Sequence, residues 1–205
     1  MEHVWNGVSL TKDQIENHRF RHEAVLSILT QEAVSRVMEI GCSEGRFLAH
    51  LAQSGMCQEI VGIDINEKQV AFAKQNLAEF IKQGNVEVFH GSIERHAAQP
   101  GDWEAIVLIE TIEHLVAGDL GALEERVFGF LQPRIVIVTT PLAEPRHTRE
   151  QMDAVGHVFE WNREELAEWA GGLGERYGYQ TDFSILSGPT FKRGTQIAVF
   201  KRSAL

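Results

Sequence analysis

The sequence predicts an α/β fold: a seven-stranded, mostly parallel sheet with helices on both faces and an antiparallel hairpin at its C-terminal end. Apolar, β-rich runs recur at 35-SRVMEI-40, 59-EIVGIDI-65, 85-NVEVFH-90, 104-EAIVLI-109 and 134-RIVIVTT-140. Most of the gaps between them are long enough for a crossover helix, and strands that alternate with helical segments build a parallel sheet covered on both sides. After the last of these runs the alternation stops. A helical stretch at about 163–172 leads into 181-TDFSILS-187 and 195-TQIAVFK-201, and the Gly-Pro and Lys-Arg-Gly turn residues between them close the pair as a hairpin.

At the front, Ile15, Val25, Leu26 and Leu29 fall at helical spacing over residues 13–29, with Thr11 or Asp13 available as an N-cap. The 205 residues fit one domain, 1–205, large enough to bury a core without disulfides or a structural metal. Cys42 and Cys57 are the two cysteines, and they form no Cys-x-x-Cys pair. That argues against a zinc ribbon and for a reducing, cytoplasmic setting. The N-terminal stretch MEHVWNGVSLTKDQIENHRFRHE has no signal-like apolar core. No apolar run approaches the roughly 20 residues of a spanning helix, so neither secretion nor a membrane is expected.

Nineteen Lys and Arg stand against 29 Asp and Glu, a formal charge of −10, so the surface as a whole repels polyanions and any nucleic-acid contact must be local. Three short basic groups are available for it: 18-HRFRH-22, 145-PRHTR-149 and Lys192-Arg193. Their plain reading is solvated helix face or loop; Arg19 and Arg21 divide evenly between helix surface and contacts to a cofactor or RNA end.

Between the first strand and its helix stands 38-MEIGCSEGRF-47, and Asp64 ends the second strand, followed by Ile65. A glycine-rich turn lets the backbone approach a ligand closely, while an acid about twenty positions on accepts both hydroxyls of a ribose. A nucleoside-type cofactor is expected. Glu39, inside the end of the first strand, would repel a pyrophosphate and suits a cationic ligand. Five parallel strands, an antiparallel pair and this acid together resemble the class I fold of S-adenosylmethionine-dependent methyltransferases, a Rossmann-like fold. The resemblance implies that Glu39 serves the methionine amino group, that Gly41, Ser43 and Gly45 form the turn, that Asp64 and Ile65 meet the ribose side, and that Ser92 and Ile93 of 91-GSI-93 meet adenine. Ser43 departs from the family, which usually has a glycine there.

The stretch 110-ETIEH-114 follows a buried-strand run and places Glu110, Glu113 and His114 at i, i+3 and i+4. A backbone that turns helical at once would bring all three to one face. His157, in 156-GHVFEWNREEL-166, lies just past the fifth strand, and neighbouring strands of an open α/β sheet deliver their loops to one crevice. Two carboxylates and two imidazoles suit a divalent metal, Mg²⁺ or Mn²⁺, with imidazole favouring Mn²⁺, Fe²⁺ or Co²⁺. The competing reading has Glu113 and His114 capping a helix and His157 filling a loop. Phe159, Trp161 and Trp169 read as core packing, and Cys42 as a small turn residue.

Glu-x-x-Glu-His followed by 157-HVFEWNR-163 is similar to the small-RNA 3′-terminal 2′-O-methyltransferases, the HUA-enhancer family with its bacterial RNA-repair members, and the likeness extends from 18-HRFRH-22 to Lys201. It implies metal-dependent methyl transfer from S-adenosylmethionine to the 2′-OH of the 3′-terminal nucleotide of RNA, with Glu110, Glu113, His114 and His157 as ligands and catalytic residues. It implies an RNA 3′ end with a free 2′,3′-diol as partner, an RNA-repair protein as a further one, and no DNA. The chain then divides into a leading helical segment at about 1–30, a cofactor half at about 31–110 and a metal and substrate half at about 110–205. The family's Thr-Pro-Asn and Tyr-Asn after the fifth strand are replaced here by 139-TTPLAEPRHT-148. Two other functions fit the residues: methylation of a small metal-chelating diol such as a catechol, and a non-catalytic S-adenosylmethionine-binding partner of an RNA-repair enzyme.

Overall fold

The structure, a computed structural model, describes residues 4–5, 8–9, 12–143, 148–186 and 194–202, with side chains from Ile15 onward. The basic pair Lys192-Arg193, most of 145-PRHTR-149 and the Thr11 cap lie outside the described residues. A small antiparallel pair, β1 (Val4–Trp5) and β2 (Val8–Ser9), precedes the 20-residue helix α1 (Lys12–Gln31). Strands and helices then alternate: β3 (Arg36–Ile40), α2 (Arg46–Ser54), β4 (Glu59–Asp64), α3 (Glu67–Asn76) with α4 (Ala78–Gln83), β5 (Val86–His90) and β6 (Ala105–Ile109). A 3₁₀ turn (Ile112–His114) follows, then α5 (Ala117–Glu124), which runs on as a π-helical segment (Glu125–Leu131). The chain ends in β7 (Ile135–Pro141), α6 (Arg149–Val155), α7 (Arg163–Tyr177), β8 (Tyr179–Leu186) and β9 (Thr195–Arg202).

Seven strands form one sheet in the order β5-β4-β3-β6-β7-β9-β8. The first five are parallel, and β9 runs antiparallel to both neighbours, so the expected hairpin is present. The chain builds outward from β3 through β4 to β5, then returns to place β6 on the other side of β3. That reversal opens a crevice above the C-terminal ends of β3 and β6, where open α/β sheets bind ligands.

Period-two alternation explains how both faces are buried. Val37, Val107, Ile137 and Val199 point to one side and pack with Leu29, Phe47, Leu48 and Leu77 of the helical segments there. Met38, Ile106, Val136 and Phe200 point to the other and pack with Leu123, Phe128, Leu166 and Leu173. Phe159, Trp161 and Trp169 pack against this second cluster, as their reading from sequence requires. Cys42 is buried above Gly62, where an added Cβ would lie 2.8 Å from its Sγ.

Local signals set the helix ends. Asn66 caps α3 by accepting from the N–H of Lys68 and Gln69, while Thr148 with Gln151 and Asn162 with Glu165 form capping boxes on α6 and α7. Helix α7 runs past the predicted end near residue 172 to Tyr177, through Gly171, Gly172 and Gly174. One of these glycines is a packing residue: a Cβ on Gly174 would stand 2.7 Å from the Tyr179 carbonyl oxygen and 2.9 Å from Thr181 Cγ2, so its absence lets α7 lie against β8. Gly172 meets nothing within 4 Å.

Opposite signs are therefore expected from two similar changes. Gly172→Ala should stabilise by about 0.5–1 kcal/mol through helix propensity, and Gly174→Ala should destabilise by about 1–3 kcal/mol through overpacking. Urea denaturation midpoints that move the same way for both would contradict this packing.

Candidate active site

A cleft of about 1080 Å³ opens at the C-terminal ends of β3, β4 and β6, and Glu39, Gly41, Ser43, Asp64, Ile65, Ser92, Ile93, Glu110 and His114 line it. Gly45, Glu113 and His157 stand outside its lining. Gly45 faces Leu77 and Ala73 instead, where a Cβ would come within 2.8 Å of Leu77 Cδ1. Its place in the turn is one of close packing between α2 and α3.

The turn after β3 is stitched to β4. The N–H groups of Gly41 and Cys42 donate to the Ile63 carbonyl at 2.8 and 3.1 Å, and the Ser43 N–H donates to Asp64 Oδ2 at 2.8 Å. Asp64 Oδ1 accepts from the Asn66 N–H at 2.8 Å, so its carboxylate is fixed at the cleft before any ligand arrives. Ser43 has φ 47, the left-handed region that a glycine occupies more cheaply. The departure from the family pattern keeps the turn's path and adds backbone strain.

Glu39 is 4% exposed, and its Oε2 is buried with no hydrogen-bond partner. Register places it opposite Gly62 of β4 and Val107 of β6, in the middle of the sheet. Burial, reinforced by the charge of Asp64, pushes its carboxyl well above the usual carboxylate range. A buried acid with an unpaired oxygen facing a cleft fits a cationic group, and the methionyl ammonium of S-adenosylmethionine is one.

The segment after β6 does not run as one helical face. Glu110 has φ 51, and Thr111 at φ −125 is outside the helical region, so the 3₁₀ turn starts only at Ile112. The left-handed kink lets the Glu110 N–H reach the Thr139 carbonyl at 3.0 Å. Thr139 Oγ1 donates to Glu110 Oε1 at 3.0 Å, and Arg21 Nη1 lies 2.8 Å from Oε2. Burial raises the Glu110 carboxyl, and Arg21 opposes that rise.

Glu113, His114 and His157 each bring a ligand-capable atom within 4.8 Å of the other two. Glu113 is fully buried; Oε2 accepts from Thr140 Oγ1 at 3.1 Å, and Oε1 has no partner. Burial first, and Glu110 second, hold its carboxyl well above the usual range. Nδ1 of His114 faces the Gly156 carbonyl at 2.9 Å, and Nδ1 of His157 faces Glu160 Oε1 at 2.8 Å. Both partners accept, so each ring donates from Nδ1, which leaves Nε2 as the atom a neutral imidazole offers to a ligand. An orphaned carboxylate oxygen with two such imidazoles fits a divalent transition ion. Glu110, the fourth residue expected from the sequence, stands beside this trio and outside the 4.8 Å cluster.

Three sets of contacts escape a sequence reading, the first being the partners of Arg21, which the sequence divided evenly between helix surface and contacts to a cofactor or RNA end. Arg21, 8% exposed, bridges α1 to Glu110, to Thr195 Oγ1 at 3.2 Å and to His18 Nδ1 at 3.1 Å. Because a guanidinium only donates, His18 accepts; burial and Arg21 bring its pKa down to about 4. Thr139 and Thr140 hold the two glutamates, and Glu160 holds His157; their one visible signal is polar residues at the end of an apolar strand and inside 157-HVFEWNR-163. Arg19, the other arginine of that basic group, is exposed and pairs with Glu23 at 2.7 Å.

Fold and cleft together define a class I methyltransferase domain, an S-adenosylmethionine-dependent doubly wound sheet with a reversed final hairpin. A family profile described as a methyltransferase domain matches residues 37–134. The crystal structure of the methyltransferase domain of bacterial CtHen1-CN is similar with a TM-score of 0.77 and 30% identity, over 90% of this chain and 98% of that one. The corresponding CtHen1-C structure gives 0.79 and 28%, over 91% of this chain and 99% of that one. The small RNA 2′-O-methyltransferase of Rattus norvegicus is 29% identical over 201 residues, 91% of this chain and 51% of the relative. The chain belongs to the family of the bacterial Hen1 methyltransferase domains, and it spans about half the length of that rat relative.

Glu39 gives a prediction with a definite sign. Its folded-state pKa is raised, so the folded protein binds this proton more tightly than the unfolded chain does. The stability of the cofactor-free protein should then fall as pH climbs from the ordinary carboxylate value of about 4 toward the raised one. Glu39→Gln removes that contribution: its Tm advantage over wild type should widen with pH across this window, while calorimetry shows weakened S-adenosylmethionine binding. A Tm difference that is flat with pH, or undiminished cofactor affinity, contradicts the assignment.

Proposed function

We propose that this chain transfers methyl from S-adenosylmethionine to the 2′-OH of the 3′-terminal nucleotide of RNA, with a divalent cation held by Glu113, His114 and His157 and with Glu110 beside them. The observation that carries this reading is the donor cluster itself: three groups within 4.8 Å, one of them a buried carboxylate oxygen without a partner, at the edge of the cofactor cleft. Relatives named for small-RNA 2′-O-methylation support the substrate class. The donor chemistry favours Mn²⁺, Co²⁺ or Fe²⁺ over Mg²⁺, because imidazole is a poor ligand for the hard ion.

The chain's own residues divide the work. Asp64, fixed by two backbone N–H groups, accepts the ribose hydroxyls of the cofactor, and Glu39 receives its ammonium. Ile65, 73% exposed in the cleft lining, stands beside Asp64 on the ribose side, and Ser92 with Ile93 meets the adenine. These contacts would hold the cofactor in the cleft that Glu110 and His114 also line. A cation held by Glu113, His114 and His157 would supply Lewis acidity that lowers the pKa of a ribose hydroxyl. The hydroxyl oxygen bonds the methyl carbon as the carbon–sulfur bond breaks, and S-adenosylhomocysteine and a proton leave.

The free, buried Cys42 and Cys57 support a cytoplasmic setting, and among the described residues no helix is long and apolar enough to cross a membrane. A formal charge of −10 gives this domain little to hold a long RNA, which supports a partner, such as an RNA-repair protein, that supplies the basic surface. The same charge favours one rival: methylation of a small chelating diol.

Oligonucleotides with altered 3′ ends separate these readings. With Mn²⁺, RNA ending in a 2′,3′-diol is expected to accept labelled methyl and become resistant to periodate, while 3′-phosphate, 3′-deoxy and 2′-deoxy ends fail. Glu113→Ala, His114→Ala and His157→Ala should each lower the rate about 10²–10³-fold, the scale of losing an electrostatic contact to the transition state. Methylation of a catechol but of no RNA end would replace the RNA reading with the small-molecule one.

A further inference from the structure

Residues 156–161 wrap the donor cluster and hold both of its imidazoles. The N–H of Val158 donates to the Glu113 carbonyl at 2.7 Å, and the Gly156 carbonyl accepts from His114 Nδ1 at 2.9 Å. Glu160 accepts from His157 Nδ1 at 2.8 Å, and its side chain is 2% exposed. Flanking aromatics hold the segment down: Phe159 stacks on Trp161 with centroids 4.5 Å apart, and Trp161 leans on Trp169 at 5.2 Å. The two imidazoles therefore have different supports, one a backbone carbonyl and the other a buried carboxylate.

A neutral imidazole has one ring proton, and the stronger acceptor decides which nitrogen carries it. A carboxylate accepts more strongly than a carbonyl and draws electron density through the ring, so the opposite nitrogen becomes a better donor. Resting on the role of Glu113, His114 and His157 as cation ligands, we propose that Glu160 is a positioning residue: it holds His157 in the Nδ1–H tautomer, fixes the ring and raises the donor strength of Nε2, and so sets the affinity of the site for its divalent cation. Of the two imidazoles His157 is then the tunable one, since no side-chain substitution can remove the carbonyl that supports His114.

The test uses the full 205-residue chain, stripped with a chelator and titrated with Mn²⁺ while free Mn²⁺ is followed by electron paramagnetic resonance. Glu160→Ala should weaken Mn²⁺ binding about 10–100-fold, and Glu160→Gln, which keeps an acceptor without the charge, should fall between it and wild type. S-adenosylhomocysteine affinity should be unchanged in both. Long-range ¹H–¹⁵N spectra of the metal-free protein should show His157 as the Nδ1–H tautomer in wild type and lose that signature in Glu160→Ala; a purely structural Glu160 would move Tm and leave this signature in place. If Glu160→Ala does not fold, Glu160→Gln decides, and wild-type Mn²⁺ affinity in it overturns the proposal. Wild-type affinity and tautomer in both variants, while His157→Ala loses Mn²⁺, overturns the role of Glu160 alone. Mn²⁺ binding that His157→Ala leaves intact removes the ligand reading and this proposal with it.

Discussion

Burying a polar group without a hydrogen bond costs about 2–7 kcal/mol, and a buried carboxylate meets that cost by holding its proton or by finding a cation. This fold does so at two places along one edge of its sheet, with Glu39 Oε2 and Glu113 Oε1 both unpartnered. Neither position is stable by itself. Each persists because the strands beneath are locked by both hydrophobic clusters and cannot turn the acids outward to water. The cleft follows from that constraint: two acids made receptive by burial stand at the ends of β3 and β6, where the strand order reverses and backbone leaves room for ligands.

Helix α1 completes the site from outside the sheet. Its Arg21 brings a buried guanidinium to Glu110, so of the two glutamates after β6 one is already paired with a cation and one is not. The left-handed backbone at Glu110 makes this division possible, because a helical path would have placed both carboxylates together. Such strain is the sort that surrounding contacts hold in place at functional positions. Thr139, Thr140 and Thr195, contributed by β7 and β9, fasten the same groups, which gives the antiparallel strand β9 a part in the site as well as in the sheet.

Both imidazoles of the cluster are oriented by one short segment after α6. Gly156, at φ 76, ends that helix in a conformation suited to glycine and turns its carbonyl to His114. Glu160, a few residues on, serves His157. Packing of Phe159 and Trp161 against the core, together with the hydrogen bond from Gln196 of β9 to the Trp161 carbonyl at 2.7 Å, transmits the rigidity of the core to the donors.

The sequence by itself determined the order of the elements, the class of the sheet, the glycine-rich turn that Asp64 faces, and the placing of Glu110, Glu113 and His114 after β6. All of these are written in local patterns: period-two apolar runs, glycines at a turn, acids at strand ends and a short motif. Tertiary structure alone decided that Gly45 and Gly174 serve packing, that Glu110 turns to Arg21, and that Glu113 keeps an unpartnered oxygen. It alone set which nitrogen each histidine offers. Those facts depend on partners such as Leu77, Tyr179, Arg21, Thr140 and Glu160, which come from distant segments or carry no periodic signal. Spacing along a chain specifies which residues share a local face; only the folded packing fixes which donor each buried carboxylate meets.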